Sequence, residues 1–594
     1  MSWVDKRLQS VAVFRRFLPH LREHRRDYLI VFALSMLGVG LELLRPWPLK
    51  WLMDWVFVPQ EGVEPPLEPV PLIWVCVGAA LLFGVGNAVT TYFATLRKAL
   101  VGHAVTRSLR YRLFEHLTEL PLSFHAKNKS GDILVRLMGD VPMLRTMLVD
   151  STLQLASRTL LITGMLSIMV WKDPMLTLVV FSVVPFLLLV VRMLSKRISV
   201  AVQKQRKKEG KLADFLHEAV AGVAVIQALG RSRETVRRFA RGNRRSIRAG
   251  LKATRLTAGL ALSVESLLTC VFVTTLAYGS FRVFSGDLTI GELTVFLSYT
   301  RNLLKPIRSA ARHSDKVARG TACGERILEI LDAEVKIVSK PDAPPAPESP
   351  SELRFDGVQF AYDSGKTVLR DFDVSFRRGE VVGVFGRSGA GKSTMASLAV
   401  RLVDPNKGSV RLDDRDIRDL DLQSLRDRFG LCMQETILFG ESVRENLLLA
   451  DPDADDERLL AAVSAAAADG FLAEMEEGLD TVLDTAGGGL SGGQRRRLSL
   501  ARTLLRGAPI LVVDEPFAGL DREAVNRVRD TLVAAAQEGM VLVICHEPEH
   551  LEVFDRVVFL HEGRIVDDGP HEELVRRCES YREVLGHRPR GLAS

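Results

Sequence analysis

Apolar residues are not spread evenly along this chain. The first half carries long uninterrupted apolar runs, and the second carries short apolar segments between helix-patterned stretches. A bilayer core of about 30 Å is crossed by roughly 20 apolar residues in a helix. Six segments have that length: 28–48, 71–96, 148–171, 174–194, 257–284 and 289–312. In the sixth, Arg301, Lys305 and Arg308 fall in the second half, so that helix either continues beyond the membrane or lines a polar cavity. The first run follows a basic leader (Arg15, Arg16, Arg22, Arg25, Arg26) and continues into Arg45-Pro46-Trp47-Pro48. It is longer than the core of a cleaved signal peptide and reads as a retained membrane helix.

Loop charge sets the orientation. The loop 57–70 has no Lys or Arg and carries Glu61, Glu64 and Glu68, whereas 194–256 carries seventeen Lys/Arg against four acidic residues. The stretch 97–147 is also basic. The amino terminus and both long loops are therefore expected in the cytoplasm, with 57–70, Lys172-Asp173 and Ser285-Gly286-Asp287 outside. The long loops read as helical extensions of the spans. Pro121 and Lys129-Ser130-Gly131 interrupt the first, where a turn presenting a short transverse helix would fit.

Residues 333–350 (AEVKIVSKPDAPPAPESP) are rich in Pro and polar residues, the composition of a linker. Beyond it, short apolar strands (Val381–Phe385, Ile510–Val513, Val541–Cys545, Arg556–Leu560) alternate with helical stretches. That alternation predicts an α/β domain with a largely parallel sheet. The alanine-rich stretch Ala461–Ala468 reads as helix. The expected organisation is multi-domain: an all-α six-helix transmembrane domain over 1–332, the linker, and an α/β phosphate-binding domain over 351–590.

At 594 residues the chain exceeds one core. Its net charge of +7 could suggest nucleic acid, but the basic residues cluster beside the apolar runs. A cytoplasmic membrane surface is the better partner, and no nucleic acid is expected. The six cysteines, Cys76, Cys270, Cys323, Cys432, Cys545 and Cys578, have no metal-ligand spacing. They read as free and mostly buried thiols.

The chemistry lies in the second half. Gly386-Arg387-Ser388-Gly389-Ala390-Gly391-Lys392-Ser393 matches the G-x-x-x-x-G-K-S phosphate loop, follows the strand Val381–Phe385 and opens a helix at Thr394. Backbone N–H groups of such a loop cradle phosphates at a helix N-terminus. Lys392 is expected to reach the β- and γ-phosphates of ATP, and Ser393 to hold Mg²⁺. The strand Ile510–Val513 delivers two carboxylates at its C-terminal end. Asp514 is placed to support Mg²⁺, and Glu515 to polarise the attacking water.

Between these elements stands Leu490-Ser491-Gly492-Gly493-Gln494, which resembles the signature of ATP-binding cassette proteins. The remaining motifs of that family have counterparts here. Gln434 in CMQETILF looks like the Q-loop glutamine, which also serves the metal. His546 in VLVICHEP is similar to the switch histidine, and Leu520-Asp521 to the end of the D-loop. Tyr362 in FAYDSG, 24 residues before the phosphate loop, looks like the aromatic that stacks on adenine. In the first half, LFEHLTELPLSF (113–124), GDILVRL (131–137), GDLTIGELTVFLSY (286–299), Pro306 and ERILEILD (325–332) resemble the family's exporters. The resemblance covers nearly the whole chain. It implies a half-transporter in the cytoplasmic membrane whose ATP is sandwiched between two cassettes, the phosphate loop of one facing Ser491 and Gly493 of the other. It also implies loop helices near 124–131 and 222–232 that couple the domains. All motifs are intact in one chain, so a homodimer is the simplest reading and a heterodimer with a related half the alternative.

Two segments depart from the family pattern. Asp484-Thr485 stands where many exporters have Gly-Glu, and Phe517-Ala518-Gly519-Leu520-Asp521 where many have Ser-Ala-Leu-Asp. Neither removes a catalytic group. An ATP-gated channel or regulatory subunit would share this architecture, although the retained Glu515 argues for hydrolysis; an importer would keep its ATPase on a separate chain. The substrate is barely encoded. Glu42, Arg158, Glu265, Arg301, Lys305 and Arg308 are candidates for substrate contact, and a lipid, a peptide or an amphipathic drug fits equally well.

Overall fold

The computed structural model describes residues 3–58, 66–362, 365–434, 436–484 and 487–586, and the chain divides into two compact units. One comprises residues 1–115 and 134–331, the other residues 116–133 and 332–594. Glu61, Glu64 and Thr485 lie outside the described residues, and the side chains of Lys305, Pro306 and Arg308 likewise.

The first unit is helical. Pro69–Glu119, Pro174–Ala221 and Ser232–Phe284 run to 51, 48 and 53 residues. At 1.5 Å per residue each spans roughly 70–80 Å, more than twice a bilayer core. The helical extensions expected from the long basic loops are these prolongations. Among the described residues, four helical stretches are long and apolar enough to cross a membrane: Arg25–Phe57, Pro69–Glu119, Ser130–Lys172 and Ser232–Phe284. The expected fourth span starts as the shorter apolar stretch Pro174–Val183, and the expected sixth lies on Ile290–Leu331. Asp173 starts the helix at Pro174 by accepting from the Met175 and Leu176 amides at 2.9 and 3.0 Å. Val39, Leu161, Met165, Leu176, Val271 and Phe296 pack around Tyr299 in the core. Tyr299 is fully buried, and its hydroxyl donates to Leu43 O at 2.6 Å while accepting from Trp47 Nε1 at 3.1 Å. Large apolar side chains such as Trp74, Leu81, Leu82 and Phe284 remain exposed on the helices, as a surface solvated by lipid allows.

In the second unit, the helix preceding Pro121 ends there, and short helices Leu122–Lys127 and Ser130–Val135 follow, the latter crossing between the units. Val223–Ala228, in the first unit, is the corresponding short helix of the other long loop. The core of the second unit is a six-stranded sheet in the order β10-β9-β3-β8-β7-β6. Its strands are β3 (Val381–Phe385), β6 (Phe429–Cys432), β7 (Ile510–Asp514), β8 (Met540–Cys545), β9 (Arg556–His561) and β10 (Arg564–Gly569). All pairs are parallel except β9–β10. The residues of β3, β7 and β8 are buried throughout, as a parallel sheet covered on both faces requires. A second, antiparallel sheet of β1 (Glu352–Ala361), β2 (Thr367–Arg377), β4 (Lys407–Leu412) and β5 (Arg415–Asp416) was not anticipated. Its strands alternate buried and open residues and carry charges, so they lack the continuous apolar run that revealed the central sheet.

The proline-rich segment 333–350 has no regular structure, yet it is fastened to the second unit. Ser339 Oγ donates to Asp421 at 3.1 Å, the Ala346 amide to Ser424 Oγ at 2.9 Å, and Arg401 to Val338 O at 3.2 Å. Ala461–Ala468 is covered by the helix Asp456–Ala465 and the turn that follows it.

Candidate functional site

β3 ends at Phe385 and the helix Lys392–Ala399 begins seven residues later. The loop between is possible only with glycine at two points. A Cβ on Gly386 would stand 2.1 Å from Leu560 O, and Gly391 has φ +110° with a would-be Cβ 2.6 Å from Leu369 Cδ2. The loop closes over the Lys392 ammonium, which donates to Gly386 O at 2.7 Å and Arg387 O at 3.1 Å and lies 3.3 Å from His546 Nδ1. Burial pulls the Lys392 pKa down to about 8, against the opposing pull of Asp514 and Glu515.

At the C-terminal end of β7, Asp514 and Glu515 face different partners. Asp514 Oδ2 accepts from Ser393 Oγ at 3.3 Å, while its Oδ1 is buried with no hydrogen-bond partner. Burial, then the charge of Glu515, pushes the Asp514 carboxyl up to about 6. A buried, unpaired carboxylate oxygen beside a serine hydroxyl is an oxygen donor set suited to Mg²⁺. Glu515 adopts φ +54°, a left-handed conformation costing a non-glycine residue roughly 1–2 kcal/mol. Its amide donates to Ile544 O at 2.9 Å, which holds the turn. Its carboxylate accepts from Gln434 Nε2 at 3.2 Å and lies 3.6 Å from both His546 Nε2 and an Arg496 nitrogen. Burial and the neighbouring Lys392 charge hold His546 below its ordinary pKa, so the ring is neutral at pH 7. With Lys392 donating toward Nδ1, the proton sits on Nε2, directed at Glu515.

The structure thus brings Lys392, Ser393, Asp514, Glu515, Gln434 and His546 together. Tyr362 stands at the edge: its hydroxyl lies 3.1 Å from Thr394 Oγ1, its ring packs edge-on against Phe360, and it is 42% exposed. Ser491, Gly493, Gln494 and Asp521 are placed otherwise. Ser491 caps the helix Gly492–Leu505 in a reciprocal capping box with Gln494, at 2.8 and 3.2 Å. Its side-chain hydrogen bond stays within this box and does not reach the chain's own phosphate loop. Asp521 caps Arg522–Glu538 by accepting from the Ala524 amide at 2.8 Å.

Arg496 is the residue sequence reasoning missed. It sits among three consecutive arginines that look like a solvated helical face, and only the turn of the helix aims it at Glu515 and, at 3.4 Å, at Ala518 O. The unusual segment after Glu515 also has a local reason. Phe517 is buried with its ring centre 4.9 Å from that of His550, and Gly519 adopts φ +75°.

Two family descriptions match the chain: "ABC transporter transmembrane region" over residues 28–307 and "ABC transporter" over residues 369–518. The ATP-dependent lipid A-core flippase of Syntrophus aciditrophicus (strain SB) is 29% identical over 96% of this chain and 94% of that one. The putative multidrug export ATP-binding/permease protein YgaD of Bacillus subtilis (strain 168) is 26% identical over 97% and 99%. The solved structure of a bacterial Atm1-family ABC exporter with ATP bound shares the fold, with a TM-score of 0.79 and 23% identity over 96% of this chain and 99% of that one.

Proposed function

This chain belongs to the ABC transporter family, and from that premise we propose that it is one half of a dimeric exporter that hydrolyses ATP to move an amphipathic substrate across the cytoplasmic membrane. The convergence of Lys392, Ser393, Asp514, Glu515, Gln434 and His546, with Asp514 Oδ1 left unpaired, carries the catalytic part of this reading. Lys392 and the loop amides bind the phosphates of ATP. Ser393, Asp514 and Gln434 hold Mg²⁺, which when bound neutralises phosphate charge. Glu515 takes a proton from the attacking water. His546, neutral and donating from Nε2, keeps the Glu515 carboxylate oriented. Tyr362 stacks on the base. Arg387, Ser388, Gly389, Ala390 and Thr394 complete the phosphate cradle.

The second copy is required because Ser491 is turned to cap its own helix and bonds nothing in its own phosphate loop. Exposed Ser491 and Asp521 and half-buried Gly493 then serve the partner's nucleotide. An amphipathic substrate agrees with the names of the relatives, a lipid A-core flippase and a putative multidrug export protein. The basic loops support a cytoplasmic position for the termini and the cassette.

Mixed dimers test the reading. One chain carries Lys392→Ala and the other Ser491→Arg, so both defects fall in one composite site and the second site stays intact. Homodimers of either variant should be inactive, while the mixed dimer retains hydrolysis. Complete loss in a verified mixed dimer, or full activity from a purified monomer, would overturn it.

A further inference from the structure

A cavity of about 160 Å³ opens between the helices Arg25–Leu44, Pro69–Glu119 and Thr152–Lys172. Its polar lining includes Glu42, Asn87, Thr91, Gln154, Ser157 and Arg158, and Val39, Leu153 and Leu161 are among its apolar walls. These residues come from three separate apolar helices, and Glu42 lies near the midpoint of the apolar stretch Arg25–Phe57. Charges at such depth are costly unless they meet water, each other or a ligand.

Glu42 and Arg158 do meet, but loosely. Glu42 Oε2 lies 3.9 Å from an Arg158 nitrogen, and the two side chains are 32% and 48% exposed. A tight charge-assisted hydrogen bond would close to about 2.7–2.9 Å. Each group therefore attracts the other while keeping most of its hydrogen-bonding capacity. Among the described residues, the side-chain amides of Asn87 and Gln154 have no hydrogen-bond partner. Lys98, also in the lining, stands 3.8 Å from Asp150, which accepts from Arg145 at 3.1 Å.

We propose that this cavity receives the zwitterionic head of an amphipathic substrate, Glu42 accepting from its ammonium group and Arg158 pairing with its anionic group. The proposal rests on the export reading above and names the substrate class for it. A lone anion at Arg158 would stand close to the Glu42 carboxylate, and a lone cation would stand close to Arg158. A head bearing both charges satisfies both, and the free amides take its remaining oxygens and N–H groups. Size agrees. Pockets that enclose a drug-sized ligand hold roughly 300–1,000 Å³, so this one takes a head group and leaves the apolar tail along the helices.

The test uses full-length protein in phosphatidylcholine nanodiscs, a background whose trimethylated head cannot donate to Glu42. The equilibrium dissociation constants of short-chain phosphatidylethanolamine, short-chain phosphatidylglycerol and tail-free glycerophosphoethanolamine are measured. Wild type should bind the phosphatidylethanolamine probe at least fivefold more tightly than the phosphatidylglycerol probe. Glu42→Gln should erase that preference, and Arg158→Gln should weaken both lipids at least fivefold. The exchange Glu42→Arg with Arg158→Glu should restore part of the ethanolamine binding. Tail-free binding within twofold of the lipid's identifies a soluble zwitterion as the source; much weaker tail-free binding identifies a lipid. Equal wild-type affinities for the two lipids overturn the proposal without reference to any variant, which covers variants that fail to fold. A preference untouched by Glu42→Gln in folded protein overturns it as well. Loss of the preference alongside active mixed dimers refutes this site alone, whereas inactive mixed dimers refute the export reading.

Discussion

Gln434 donates its side-chain amide to Glu515 Oε1 at 3.2 Å, joining the loop after β6 to the carboxylate at the end of β7. His546 approaches the same oxygen and Arg496 the other, each at 3.6 Å. Two loops and a helix thus converge on one strained residue.

Replacing Glu515 by Gln keeps the shape and removes the charge that accepts a proton. Hydrolysis should fall by roughly 10²–10⁴-fold, the usual contribution of a positioned base. ATP affinity should stay within about threefold, because Lys392 and the loop amides remain. Phosphate release and equilibrium nucleotide binding check the two halves. Turnover within tenfold of wild type would remove Glu515 from the base role.

Tyr362 offers both a ring and a hydroxyl, the latter 3.1 Å from Thr394. If the ring binds adenine, Tyr362→Phe should leave the KM for ATP within about twofold. Tyr362→Ala should raise it roughly three- to tenfold, since an aromatic contact is worth about 0.5–1.5 kcal/mol, with kcat nearly unchanged. A Phe variant as impaired as the Ala variant would assign the effect to the hydroxyl.

Burial and Lys392 depress His546, which dictates the sign of its pH dependence. The neutral ring persists as pH falls through the ordinary histidine value of about 6.5 and is lost only below it. The acid limb of kcat/KM for ATP, which reports the free enzyme, should have its midpoint below 6.5. A midpoint above 6.5 in wild type would contradict the assignment of His546 as a neutral donor.

In the helical unit, Arg326 grips Asp140 with two bonds of 2.7 and 2.5 Å. Asp140 is buried, whereas the Arg326 side chain is 46% exposed. Arg326→Ala strands a buried carboxylate and should cost about 2–3 kcal/mol, below the usual penalty for a fully buried pair because water reaches the arginine side. Thermal unfolding in detergent should show a lowered Tm, and Asp140→Asn combined with Arg326→Ala should recover part of it. An unshifted Tm in the single variant would show the pair to be dispensable.

Sequence by itself determined whatever depends on local pattern. Continuous apolar runs could only be membrane helices or the covered strands of a parallel sheet, and β3, β7, β8 and β9 lie where their runs predicted. The phosphate loop was legible from the local spacing of its glycines, lysine and serine, although the close contacts that exclude a Cβ at Gly386 and Gly391 come from Leu560 and Leu369, which are distant in sequence. The antiparallel sheet was not legible, because half of each strand is polar and β1 pairs with β4 across the intervening β2, β3 and the phosphate-loop helix. Only tertiary structure decided which side chains converge. Arg496 belongs with Glu515, and Glu42 with Arg158, because separate elements pack at a particular rotation. It also showed Ser491 closed on Gln494 in its own helix cap. Such pairings depend on the direction of a side chain across a packed interface, and no one-dimensional spacing encodes that direction.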